Sequence, residues 1–176
     1  MAFIDLSLDD VGMLSAQDVK EVFQQIFRIL VKIHNHSGAY SHGHLHPGNI
    51  RFRSAQRPLV PIICDAGMGE VHRSLPRIGG IQYLAPEAVK KHPLTPESCK
   101  DMWSCGMIIL KLCLADDASW LFNIYPKEPT ADIVRNYASQ VEKFVARDEA
   151  RSAIKSGFDT IFELAKKMLM VDHSLA

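Results

Sequence analysis

No apolar run in this sequence is long enough to cross a bilayer. The start, Met1-Ala2-Phe3-Ile4-Asp5, has no basic stretch leading into an apolar one, so no secretory leader is expected. Basic excess is missing too. Lys+Arg and Asp+Glu each number 20 and the formal net charge is +0, which removes the electrostatic grounds for nucleic-acid or anionic-membrane partners. Cysteine is scarce, and Cys64, Cys99, Cys105 and Cys113 include no C-x-x-C pair. That argues against a zinc site or a disulfide framework. Reduced, buried thiols and a cytoplasmic location are the expectation. Internal repeats and low-complexity segments are absent.

What is there suits one domain with a real core: 176 residues, 47% hydrophobic and 23% charged. Helical spacing dominates. Ser15 is placed to cap a helix, with Asp18 three residues on. Val19, Val22, Phe23, Ile26, Leu30 and Ile33 then recur every three or four residues, and Gly38 fits its stop. Met102 to Leu114 is apolar nearly all round, as befits a helix at the centre of a domain. Ile133–Val145 and Phe158–Met170 show helical spacing again. Two short strand-like runs, at 50–52 and 62–64, suggest a small hairpin. Residues 65–87, rich in glycine and proline, read as an extended segment. The fold class expected is therefore mainly α (α+β), with a small β-hairpin and a buried central helix.

Four segments carry a resemblance. His42-Gly43-His44-Leu45-His46-Pro47-Gly48-Asn49 resembles the loop H-R-D-L-x-x-x-N, and Asp65-Ala66-Gly67 resembles D-F-G. The stretch from Gly79 through Tyr83 to Ala85-Pro86-Glu87 resembles G-T-x-x-Y-x-A-P-E, and Asp101 to Gly106 resembles D-x-W-S-x-G. Together, in this order, they resemble the C-terminal (large) lobe of the protein kinase family, in a degenerate Ser/Thr kinase-type form. The resemblance covers residues 1–176. It implies an inter-lobe segment at 1–8, a catalytic-loop remnant at 42–49 and an activation-segment remnant at 65–87. No glycine-rich loop, V-A-I-K lysine or partner-glutamate helix has a counterpart, so the small N-lobe is expected to be absent from this chain.

The resemblance also says what each position would do. Phosphoryl transfer relies on positioning and charge neutralisation. His44 stands where the family's proton-accepting Asp stands, His46 where a phosphate-contacting Lys stands, and Gly43 where an Arg reads activation-segment phosphate. A phosphate on Ser74 would lack that reader. Asn49 and Asp65 match the family's metal ligands, as vestigial cofactor-binding residues for Mg–ATP. Ala66 replaces a spine Phe, and Gly80 a Thr that bonds the catalytic Asp. Asp101 would hold the catalytic-loop backbone. Glu87 normally pairs with an Arg near the position where Asp172–Ala176 ends the sequence.

These changes imply no catalytic residues, no metal, no cofactor beyond weak Mg–ATP binding, and no enzyme activity. The expected function is that of a pseudokinase module acting through a protein partner or a homodimer, regulating or mimicking a true kinase. One alternative is a fragment of a longer kinase-like polypeptide that transfers phosphate from ATP. A second uses His34, His36, His42, His44 and His46 as a metal-binding cluster. Trp120-Leu121-Phe122 reads as packing under a loop or as an exposed aromatic anchor.

Overall fold

The computed structural model describes residues 6–36, 41–66, 80–89, 97–124 and 130–170. Gly38, Gly67, Ser74, Gly79 and residues 171–176 lie outside the described residues.

The first helix, α1 (Ala16–His34), forms as its sequence dictates. Ser15 accepts the Asp18 amide through its side chain, and the Asp18 carboxylate accepts the Ser15 amide, closing a capping box. Val19, Val22, Phe23, Ile26 and Leu30 form its buried stripe. Its C-cap is Asn35.

The hairpin is larger than expected. Strands β2 (Ile50–Phe52) and β3 (Pro61–Ile63) pair antiparallel with Ile50 opposite Ile63, and β1 (Leu6–Ser7) adds a third strand on the free edge of β2. Two residues are too few to show a period in the sequence, which is why β1 was not foreseen. Ile50 and Phe52 point into the core while Arg51 lies between them, only partly buried, as alternation requires.

The segment read as extended is coiled where it is described. Ile81–Tyr83 and Pro86–Val89 are single 3₁₀ turns. Pro86 opens the second turn, where a missing N–H leaves nothing unsatisfied.

The next helix, α2 (Glu97–Cys113), is the axis of the domain. Cys105, Met107, Ile108, Ile109, Leu110 and Cys113 are all at 0% exposure. Each large apolar side chain removed from water in this way stabilises by about 1.5–3 kcal/mol. Helices α3 (Ala131–Ala146) and α4 (Asp159–Leu169) bury one face each, α4 against α2. At the end of α2, Leu114 bridges Ile154. The Lys155 amide donates to the Cys113 carbonyl and the Ala115 amide to the Ala153 carbonyl, both at 2.9 Å.

The cysteines need one correction. Cys105 and Cys113 are buried, but Cys64 is half-buried and Cys99 exposed. Cys99 lies in the first turn of α2, ahead of that helix's fully buried stretch.

Candidate active site

The histidine-rich loop is anchored from below by one carboxylate. Asp101, fully buried in the first part of α2, accepts the His42 amide at 2.7 Å and the Gly43 amide at 2.8 Å. His34 Nε2, from the end of α1, meets the same carboxylate at 2.8 Å. Gly43 has φ +73°, in the left-handed region that favours glycine. Sequence reasoning saw in Gly43 a lost cation; the structure gives it a backbone role.

His42 is locked in one tautomer. Its Nδ1 accepts the His44 amide at 3.3 Å, which places the hydrogen on Nε2, and Nε2 donates to the Cys64 carbonyl at 2.8 Å. Burial pushes its pKa below the usual imidazole range, against the raising effects of the Cys64 carbonyl and Asp101. His46 is likewise engaged. Its Nδ1 accepts the Gly48 amide at 3.1 Å and so caps the short Pro47–Asn49 turn. Burial first, then nearby His44 and His42, push its pKa down to about 4.

This has a consequence for pH. The unfolded chain takes up a proton near the ordinary 6.5, whereas the folded His46 resists it down to about 4. Unfolding therefore gains protons across that window, and stability falls as pH drops through it. The contribution is complete above pH 6.5, and buried His42 acts in the same direction. Solvent screens the half-buried His46 ring, so a loss of about 1–2 kcal/mol is expected. Urea midpoints at neutral pH and near pH 4.5 would read it. His46→Asn, which keeps a capping acceptor, should shrink the difference; an unchanged difference would rule out His46 as its source.

Asn49 is bonded to the His44 backbone, and Asp65 follows a residue bonded to Asn49. Asn49 is buried, and its Nδ2 donates to the His44 carbonyl at 2.9 Å. The Cys64 amide donates to the Asn49 carbonyl at 2.9 Å, which sets Asp65 beside the loop. Asp65 is exposed and has φ +59°, a backbone shape that Asp tolerates better than most residues. The His44 and His46 rings meet edge to face at 4.8 Å.

Asn49 Oδ1 and the Asp65 carboxylate are hard oxygen donors, the type magnesium takes when phosphates and waters complete its shell. The residues present therefore fit a magnesium–nucleotide. The metal-binding alternative gains no support. His34, His42 and His46 are each spent on Asp101, Cys64 or Gly48, and among the described residues no group of three His, Cys, Asp or Glu side chains is placed for a cation.

Ser104 Oγ donates to the Tyr83 carbonyl at 2.7 Å, tying the Ile81–Tyr83 turn to α2. Glu87 Oε2 and Trp103 Nε1 are buried without a hydrogen-bond partner among the described residues. Trp120 is 56% exposed and stands edge-on to Phe144, while Leu121 and Phe122 are core. Only the tryptophan of that trio faces solvent.

Sequence reasoning missed a cavity of about 470 Å³ beside the loop, walled by His46, Gln82, Lys111 and Lys155 among others. His46 was singled out in the sequence for another role, but Gln82, Lys111 and Lys155 were not, because they converge on it from three further segments.

The profile of the protein kinase domain matches residues 4–175. No curated protein matches the chain. The expectation that the chain is not an enzyme is overturned by the profile match: the matched family is one of enzymes, and nothing observed here shows inactivity. Among the described residues no helix is long and apolar enough to cross a membrane.

Proposed function

Because the chain belongs to the protein kinase domain family, we propose that it is the large lobe of a phosphotransferase acting on a protein hydroxyl, in the fragment reading of the sequence. Residues 1–8 then link the lobes, 42–49 form the catalytic loop and 65–87 belong to the activation segment. The observation that carries this is the bonded set His44–Asn49–Cys64, with Asp65 next in the chain.

Asn49 and Asp65 would hold the magnesium–nucleotide, which brings the phosphate and neutralises its charge when bound. Binding is weak, since only two protein oxygens are offered. His44 stands at the proton-accepting position. A neutral imidazole takes a proton from a hydroxyl, but its ring is wider and longer than a carboxylate, so transfer is slow. Asp101 keeps the loop backbone in place while this occurs.

The test has two parts. Thermal shift of the purified chain should show a magnesium-dependent rise with ATP, by mass action on the folded state. Asp65→Asn should abolish that rise at an unchanged starting melting temperature, since Asn also accepts positive φ. Labelled ATP should transfer phosphate to a protein acceptor, and His44→Asp should speed the transfer by about 100-fold. No shift at millimolar ATP together with no transfer in either form would sink the reading.

A further inference from the structure

The cavity beside His46 has a lining that selects among ligands. Its lining includes two lysines, Lys111 and Lys155. Lys111 projects from α2 and contacts Asp9 at 2.8 Å. Both of these side chains are substantially exposed, and such a pair is worth little and exchanges readily. Lys155 Nζ donates to the Leu112 carbonyl at 3.1 Å, which uses one of its three hydrogens. His46 also belongs to the wall, and with its Nδ1 accepting from Gly48, its hydrogen is on Nε2. Three donors thus border one space. Of the two carboxylates there, Asp9 is already matched by Lys111, and Asp116 is the other.

Gln82 supplies a separate observation. It lines the cavity and is 4% exposed, and its Nε2 donates to the Ile124 carbonyl at 2.8 Å. Its Oε1 is buried with no partner among the described residues. A buried amide oxygen without a donor is destabilising, and an extended peptide backbone carries the N–H it lacks. Simple anions such as phosphate carry no such N–H.

We propose that this cavity binds an acidic peptide, Lys111 and Lys155 receiving its carboxylates and Gln82 Oε1 accepting a backbone N–H. Asp9 is the resident competitor for Lys111. The volume, about 470 Å³, accommodates a short stretch of side chains rather than a folded surface. Calling this peptide the phosphate acceptor rests on the phosphotransferase reading; its binding does not.

The experiment measures fluorescence anisotropy of three labelled peptides of one length, rich in Glu, in Lys, or uncharged, with no nucleotide present. The Glu peptide should bind about tenfold tighter than the uncharged one at low salt, and the Lys peptide weakest. Asp9→Asn should tighten the Glu peptide several-fold by releasing Lys111, whereas Lys111→Glu should abolish the preference. Lys111→Gln serves as a milder form if the reversal disturbs folding, which circular dichroism checks. Equal affinities, a preference for the Lys peptide, or weaker Glu-peptide binding in Asp9→Asn would overturn the proposal. A missing ATP shift together with no phosphate transfer would sink the phosphotransferase reading and leave these affinities standing.

Discussion

Asp101→Ala is expected to lower the unfolding free energy by about 3–5 kcal/mol, the largest single effect foreseen for this chain. The carboxylate is fully buried and takes the amides of His42 and Gly43 at 2.7 and 2.8 Å. Two terms compete when it is removed. Desolvating a carboxylate is itself unfavourable, so its loss returns some free energy. Against this, the buried His42 N–H and the partly buried Gly43 N–H lose charge-assisted bonds, and each orphaned donor costs about 1–3 kcal/mol. No described side chain stands ready to replace the acceptor, so the second term wins. His34→Ala should cost less, about 1–2 kcal/mol, because His34 is partly exposed and water can take its place. Urea unfolding of both variants gives the order. If Asp101→Ala costs no more than His34→Ala, then Asp101 does not hold the loop.

Gly106 is the second sensitive point. A Cβ placed there would stand 3.0 Å from Leu169 Cδ2, Leu169 Cγ and Met168 Cβ, across the contact of α2 with α4. Alanine asks its neighbours to give by a few tenths of an ångström. That strain is set against roughly 1 kcal/mol gained from helix propensity, so Gly106→Ala should be near neutral. Gly106→Val adds two more methyl groups where Leu169 is already at 0% exposure. Overpacking and the branched side chain together should cost about 3 kcal/mol. For a domain of this size that is a fall of roughly 6–12 °C in melting temperature. A valine variant that melts with the parent would mean that α4 shifts freely on α2.

The helices were legible in the sequence because each announces itself over many residues. Ser15 with Asp18, and the stripe from Val19 to Leu30, fixed α1 by local rules alone. The all-round apolar run after Met102 marked the buried axis for the same reason. Strand β1 was not legible: Leu6 and Ser7 become a strand only through Phe52 and Arg51, which are far away in sequence. The site divides along the same line. His44, Asn49, Asp65 and Asp101 stood in recognisable motifs, so their meeting could be foreseen. The roles of His46 and Gly43 could not, since one depends on a ring angle and the other on a backbone twist. Inferring a non-enzyme from substituted residues went further than residue identity allows, and the family match corrects it.

The clasp between Leu114 and Ile154 carries a further consequence. Two amide bonds and the bridge bring positions 113–115 and 153–155 together at the end of α2. Between them the chain still packs into the core through Leu121, Phe122 and the buried face of α3. With both ends pinned, lengthening a flexible part of this stretch raises its closure entropy only logarithmically, by about 0.6 kcal/mol per doubling. The exposed turn at Arg147, Asp148 and Glu149, inside this pinned stretch, is thus where an insertion is absorbed cheaply, while the loop from His42 to Asn49 keeps its own anchor on Asp101.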